Sequence, residues 1–191
     1  MKSLLIGTTN QGKLREIKSV LSTQNKAFTL RKENNSVLEV EETHATIAGN
    51  AFLKATTIQR RIKTPVLSED TGLCVVELNG FPGVKSARAF GENLTDEQKV
   101  EKLLNLMEKK TDRKAYFYTF CVIALDEEHT VTGEGQTWGT ISTEPRGSNG
   151  FGYDTIFIPD GESKTFAEMT LDEKEKFSQR KKAVEMALES L

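Results

Sequence analysis

Apolar positions recur along the chain at two alternating periods, which predicts strands and helices in turn. Ser3 to Gly7 is a short apolar run that reads as a strand. Behind it Leu14, Ile17 and Leu21 fall at helical spacing, with Thr9 or Asn10 placed to cap the helix. Phe28 to Leu30 reads as a second strand, and Leu38 to Thr43 as an acidic loop or strand end. Ile47, Ala51, Ala55, Ile58 and Ile62 mark a long amphipathic helix. Pro65 to Leu67 restarts a strand, which would deliver Ser68 to Gly72 to its C-terminal end, the rim where α/β sheets hold ligands. Leu73 to Leu78 continues extended.

The second half repeats the alternation. Asn79 to Gly83 is turn-rich, and Thr95-Asp96-Glu97 opens a helix carrying Val100, Leu103, Leu104 and Met107 inward. Ala115 to Leu125 is dense in aromatic and β-branched residues and apolar on both faces, the pattern of a central strand. His129 to Gly133 and Gln136 to Ser142 read as two further strands. Ser178 to Ser190 reads as a final helix with Ala183, Met186, Ala187 and Leu188 inward. No repeat, low-complexity tract or linker interrupts the series, so the fold class is α/β and residues 1–191 form a single domain long enough for two lobes.

Composition narrows the partners. Hydrophobic residues make up 37% of the chain, charged residues 28%, and the formal net charge is −2. Such a chain has no bulk attraction for nucleic acid or an anionic membrane, so any polyanion must be held locally. The opening run is too short for a secretory signal, and nothing approaches the ~18 apolar residues of a membrane span. These features point to the cytoplasm. Cys74 and Cys121 lie inside apolar strand-like runs and read as reduced packing residues. His44 and His129 have no partner at ligand spacing, and Trp138 reads as a packing residue.

Three segments carry candidate chemistry. Gly7-Thr8-Thr9-Asn10-Gln11-Gly12-Lys13 has the Gly-x4-Gly-Lys spacing of a phosphate loop between a strand and a helix. Leu14 stands where that loop needs Ser or Thr for magnesium, so a true P-loop is rejected. Amides at a helix N-terminus, the Thr8 and Asn10 side chains and the Lys13 ammonium could still hold a phosphate. Glu69-Asp70, with Glu41-Glu42 upstream, offers hard oxygens for Mg²⁺. Neighbours on an extended chain point to opposite faces, so one of Glu69 and Asp70 faces the site, and the choice stays open. Ser148-Asn149-Gly150-Phe151-Gly152-Tyr153-Asp154-Thr155 sets two rings and a carboxylate among glycines, either as a turn tucked into a core or as a loop offering a flat face.

Five motifs in order carry a resemblance: Thr9-x-x-Gly12-Lys13-x-x-Glu16, Ser68-Glu69-Asp70-Thr71-Gly72-Leu73, Asn79-Gly80-x-Pro82-Gly83-x-x-Ser86-Ala87-Arg88, Gly150-Phe151-Gly152-Tyr153-Asp154 and Thr165-Phe166-Ala167-Glu168-Met169. Together they resemble the inosine triphosphate pyrophosphatase, or Ham1-like, family, from Thr8 to Arg180. The resemblance implies an elongated two-lobed α/β domain around a long mixed sheet with flanking helices and a central active-site cleft. It also implies a homodimer with purine nucleoside triphosphates as substrates. The implied activity is Mg²⁺-dependent hydrolysis of inosine, deoxyinosine and xanthosine triphosphates to monophosphate and pyrophosphate.

Carried onto this chain, the resemblance places Thr8, Thr9, Asn10, Gln11, Gly12 and Lys13 along the triphosphate, with Lys54 reaching it from the long helix. Glu42 and Asp70 would hold the metal, Asp70 would also act as base toward the attacking water, and Thr71 would sit against substrate. Glu41, one residue out of register, is the alternative to Glu42. Phe151, Gly152, Tyr153 and Asp154 would form the base-recognition loop, joined by Lys174 and by Ser178, Gln179 and Arg180. The family has Ser-His-Arg where this chain has Ser178-Gln179-Arg180, and Thr155, Lys85, Ala89-Phe90 and Gly49 also depart from its pattern. A glutamine amide can donate to a 6-keto oxygen or, flipped, accept from an exocyclic amine, so the preference for 6-keto purines is expected to persist through Arg180 and backbone amides but to relax. Two other classes share part of the pattern: a Maf-like pyrophosphatase of different base specificity, and a nucleotide-binding module that has lost catalysis.

Overall fold

The structure, a computed structural model, describes residues 2–24, 28–31 and 35–191. Its order is β1 (Lys2–Ile6), α1 (Gln11–Ser22), β2 (Phe28–Arg31), α2 (Asn35–Leu38), α3 (Ile47–Ile62) and β3 (Val66–Val75). Then follow α4 (Asp96–Met107), β4 (Lys114–Ala124), β5 (Thr130–Ile141), β6 (Phe157–Pro159), α5 (Leu171–Glu175) and α6 (Gln179–Glu189). The six strands form a mixed sheet in the order β2-β1-β3-β4-β5-β6. β1 runs parallel to β2 and to β3, pairing Leu4 with Leu30 and Leu5 with Val66, while β5 and β6 are antiparallel. The α/β class and mixed sheet expected above are therefore present.

The chain divides into two compact units, and β3, β4 and β5 each contribute residues to both. The first comprises residues 1–71, 119–135 and 179–191. Alternation along β3 and β4 sends side chains to its two faces. On one face Leu67, Cys121 and Ile123 pack with Ile17, Val20 and Leu21 of α1 and Ala183, Val184, Ala187 and Leu188 of α6. On the other, Val66 packs with Ile58, and Val122 and Ala124 with Ala51 and Ala55, the three helix positions all lying on α3. This unit is thus a helix–sheet–helix sandwich.

The second unit comprises residues 72–118 and 136–178. Its core joins Leu73 and Val75 to Val100, Leu103 and Met107 of α4 and to an aromatic group of Phe117, Phe157 and Phe166. Phe117 and Phe157 meet edge to face with centroids 4.7 Å apart, a favourable arrangement of ring quadrupoles. Tyr153 belongs to the same core and is buried. Thr95 caps α4 in a reciprocal box with Gln98.

Several sequence expectations change. Ser68 to Gly72 lies in the middle of the ten-residue β3, not at its C-terminal end, because Gly72 to Val75 supplies apolar residues that extend the strand into the second core. Residues 76–78 are a 3₁₀ turn, not extended chain. The two strands expected at 129–133 and 136–142 are one strand of twelve residues. Gly133 and Gly135 mark a close approach, not a break: a Cβ on Gly135 would lie 2.0 Å from the Gln179 carbonyl oxygen, and one on Gly133 2.2 Å from that of Ala183. Met186 is 47% exposed, and Val184 takes the inward place expected for it. Both cysteines are buried, and Trp138 packs on Tyr116 with centroids 4.6 Å apart.

The glycine contact gives a stability prediction. Gly135→Ala should lower the unfolding free energy by roughly 1–3 kcal/mol, because α6 must shift to admit the methyl group. Urea denaturation with an unchanged midpoint would show that the approach is not tight.

Candidate active site

The first unit gathers charge around the middle of β3. The opening turn places α1 with Asn10 as its N-cap, its side chain accepting from the Lys13 N–H at 3.0 Å, while Thr8 Oγ1 accepts from the Asn10 N–H at 3.2 Å. Thr9, Asn10 and Gln11 are exposed, and Gly12 and Lys13 are half-buried. The turn therefore leaves a helix N-terminus open to an anion. Lys13, one turn into the helix, points its ammonium back to the strand, 3.2 Å from Glu69 and 3.9 Å from Asp70.

Glu69 and Asp70 divide as strand geometry requires. Glu69 shares the face of Leu67 and meets α1 and α6, where Arg180 donates to it through Nε at 3.1 Å. Arg180 also donates to Glu16 and, at 3.3 Å, to Thr71 Oγ1. Thr71 in turn donates to Glu69 at 2.6 Å and lies 2.7 Å from the Thr119 hydroxyl. Burial by itself would raise the Glu69 carboxyl, but Lys13, Arg180 and Lys54 outweigh it and hold the group well below its ordinary value. Burial would likewise depress Arg180, yet Glu69 and Glu16 keep it fully cationic.

Asp70 shares the face of Val66 and meets α3. Lys54 stands 3.6 Å from its Oδ1 and donates to Glu42 at 2.7 Å. Asn50, buried on the same helix, donates to Asp70 Oδ2 at 3.4 Å and accepts from the His44 N–H at 3.0 Å. The Thr71 N–H donates to Asp70 Oδ1 at 3.0 Å. Here burial wins: it raises the Asp70 carboxyl above its ordinary value despite Lys54 and Lys13, helped by Glu42 and Glu69. Burial also disfavours the Lys54 ammonium, but Asp70, Glu42 and Glu69 more than compensate and raise it. Two neighbouring carboxylates thus have opposite tendencies, the Glu69 carboxyl held below its ordinary value and the Asp70 carboxyl above it.

The second unit holds the glycine loop. Gly150 and Gly152 have φ of +77° and +63°, and a Cβ on Gly150 would lie 2.1 Å from Asp154 Oδ2. Asp154 is buried; its Oδ2 accepts from the Phe151 N–H at 3.0 Å and from the Lys174 ammonium at 2.5 Å. Tyr153 turns its ring into the core and donates its hydroxyl to the Ser86 carbonyl at 3.0 Å. Phe151 remains half-buried, with the Lys174 ammonium 5.3 Å from its ring centroid. Tyr153 thus takes the first of the two readings of this loop, tucked into the core, while Phe151 stays half-buried at its edge.

Ser178 and Gln179 are buried beside Arg180, and Gln179 Oε1 has no hydrogen-bond partner among the described residues. Asn50, Glu16 and Thr119 were not assigned roles from sequence. Asn50 could have been noticed as a polar residue within the apolar stripe of a helix, and Glu16 as an acid next to buried Ile17.

Among the described residues no three His, Cys, Asp or Glu side chains group as a ready metal cage. Glu42 and Asp70 nevertheless offer hard oxygens that converge on one ammonium. Around them four carboxylates, Glu16, Glu42, Glu69 and Asp70, meet three cations, Lys13, Lys54 and Arg180. That donor set and its excess negative charge fit a cation such as Mg²⁺ that keeps several waters and shares substrate phosphates.

Comparison with known proteins agrees with this geometry. Residues 4–190 match the Ham1 family. A dITP/XTP pyrophosphatase of Aquifex aeolicus is 42% identical over 190 residues, covering 95% of this chain and 92% of that protein. One of Bacillus subtilis is 39% identical, covering 96% and 94%. A solved HAM1 protein from Coxiella burnetii superposes with a TM-score of 0.86 at 35% identity, covering 97% of this chain and 95% of that one.

The buried Arg180 makes a prediction about stability. Arg180→Met leaves Glu16 and Glu69 buried without their partner and should cost about 3–5 kcal/mol. Because Glu69 sits below its ordinary 4.5 in the folded state, its contribution is present above that value and is lost as pH falls. Acid titration of urea stability should therefore be steeper in the wild type than in Arg180→Met; equal slopes would refute the coupling.

Proposed function

This chain belongs to the Ham1 family, and from that premise we propose how its residues act as a nucleoside triphosphate pyrophosphatase. The reaction is hydrolysis of inosine, deoxyinosine and xanthosine triphosphates to monophosphate and pyrophosphate, which clears deaminated purines from the nucleotide pool. The observation that carries the reading is the alternation of Lys54 between Glu42 and Asp70 and of Lys13 between Asp70 and Glu69, each within 4 Å.

Thr8 to Gly12 receive the triphosphate, through their side chains and the amides of Gln11 and Gly12 at the start of α1, and Lys13 and Lys54 offset charge that develops on the phosphoryl oxygens. Asp70 takes a proton from the attacking water, a task suited by its raised carboxyl and by the Asn50 and Thr71 bonds that fix its orientation. Glu42 and Asp70 would hold Mg²⁺, which when bound supplies electrostatic stabilisation of the phosphoryl oxygens. Glu69 takes no proton; it holds Lys13 and is itself held by Arg180.

For the base, Phe151 offers the stacking face, and such stacking is worth roughly 1–3 kcal/mol. Gly152 lets backbone approach the purine, and Tyr153, Asp154 and Lys174 keep the loop in shape, with Thr71 and Ser178 beside the substrate. Gln179, with an amide oxygen unpaired, supplies the donor or acceptor that meets the purine's 6-position. A homodimer working in the cytoplasm belongs to the same reading; no described helix is long and apolar enough to cross a membrane.

Pyrophosphate release with Mg²⁺ across a panel of standard and deaminated nucleotides tests the activity, with the inosine, deoxyinosine and xanthosine triphosphates expected to lead. Asp70→Asn should lower kcat by about 10²–10⁴-fold, the usual range for a lost general base; unchanged turnover would remove Asp70 from the chemistry. Asp70 must be ionised to act, so activity should fall with acidification at a pH above that of an ordinary aspartate. Lys54→Met removes a group that lowers the Asp70 carboxyl and should move the acid limb of the surviving activity to still higher pH. Gln179→His should raise the preference for inosine over adenosine triphosphate, and an unchanged ratio would take Gln179 out of the specificity argument.

A further inference from the structure

The base loop is pinned from outside by a residue that no motif includes. The Gly152 N–H donates to Asp96 Oδ2 at 2.6 Å, while Asp96 Oδ1 accepts from Lys99 at 3.2 Å. Asp96 is the first residue of α4, but the cap of that helix is Thr95 with Gln98, so the Asp96 carboxylate is not needed for the capping box. α4 is itself anchored through Val100, Leu103 and Met107 in the core that contains Tyr153. A charge-assisted bond from a fixed helix therefore ends on the peptide that follows Phe151.

That peptide is where the loop needs a fixed point. Gly152 has a positive φ and no side chain, and a Cβ there would touch nothing within 4 Å, so no side-chain packing fixes this peptide. On the same side the loop borders a cavity of about 840 Å³, lined by Asp96, Val100, Leu104, Phe151 and Gly152 among others. The neighbouring amide of Phe151 is tied to Asp154, and the ring of Tyr153 to the core. The carbonyl of the same peptide accepts from the Asp154 N–H at 3.2 Å, so with Gly152 released the peptide keeps that one bond and can pivot about it, carrying the Phe151 ring.

We propose that Asp96 is a positioning residue for purine recognition, acting through the Gly152 amide to hold the Phe151 ring at its stacking angle. This rests on the reading of residues 151–154 as the base loop. Asp96 touches neither the phosphates nor the proton-transfer group, so its loss weakens base binding without slowing chemistry, which appears as a change in KM and not in kcat.

Steady-state kinetics of wild type, Asp96→Ala and Asp96→Asn on inosine and uridine triphosphates test it, with thermal unfolding read in parallel. Asp96→Ala should raise KM for inosine triphosphate about tenfold, as expected for one charge-assisted hydrogen bond, with kcat within about threefold. Asp96→Asn keeps an acceptor for the Gly152 N–H and should restore most of the loss, while KM for uridine triphosphate moves little in either. Asp96→Ser, which suits a helix start but is too short to reach Gly152, replaces alanine if that variant does not fold. Unchanged KM in the alanine or serine variant, no rescue by asparagine, or an equal rise for uridine triphosphate would overturn the proposal. A wild type with no purine preference would instead overturn the base-loop reading, and this proposal with it.

Discussion

Arg180 in its buried place between Glu16 and Glu69 is the constraint on which the first unit depends. Removing a guanidinium from water is costly, and only carboxylates with good geometry offset the cost. Here they come from α1 and β3 while the arginine comes from α6, so one charge ties three elements that are far apart in sequence. The apolar contacts of α1 and α6 with the sheet make the layer, and the ionic contact fixes how the helices are registered against β3. A shift of either helix along the strand would leave a buried charge without its partner.

Glu69 passes that fixation on to the chemistry. It accepts from Arg180, faces Lys13 and receives the Thr71 hydroxyl, so three of the roughly four acceptor directions of its carboxylate are engaged. Its neighbour Asp70, turned to the other face by the pleat, meets α3 and remains the carboxylate whose proton affinity is raised. Adjacent residues thus separate a carboxyl held below its ordinary value from one held above it. The sheet does this by side-chain alternation alone, with no bulge or unusual backbone needed.

Much of this was legible in the sequence, for definable reasons. The helices α1, α3 and α4 follow from apolar spacing, and α1 and α4 also from the caps at Asn10 and Thr95. Lys13 and Asp70 could be named from motifs in the chain, whereas Lys54 and Glu42 came only through the family resemblance, which left Glu41 as the alternative to Glu42. What escaped notice depends on contacts across long sequence separations. Glycines 133 and 135 looked like a break in β5, because the helix backbone that requires them lies more than forty residues later. The position of Glu69 and Asp70 within β3 was misjudged because the strand's length is set by two separate apolar groups, each of which claims part of it. Asp96 read as an ordinary helix-start acid; its partner is a glycine amide, and an amide leaves no trace in a sequence.

The internal bond between Asp154 and the Phe151 N–H has a thermodynamic consequence. Loop residues lose about 1–2 kcal/mol of conformational freedom each when they are fixed. Because this carboxylate closes the loop during folding, that loss falls on the stability of the protein and is absent from the binding equilibrium. On the reading of this loop as the base site, a purine would meet a surface already shaped, and differences between bases would be expressed as differences in affinity, undiluted by the adjustments of a pliant loop.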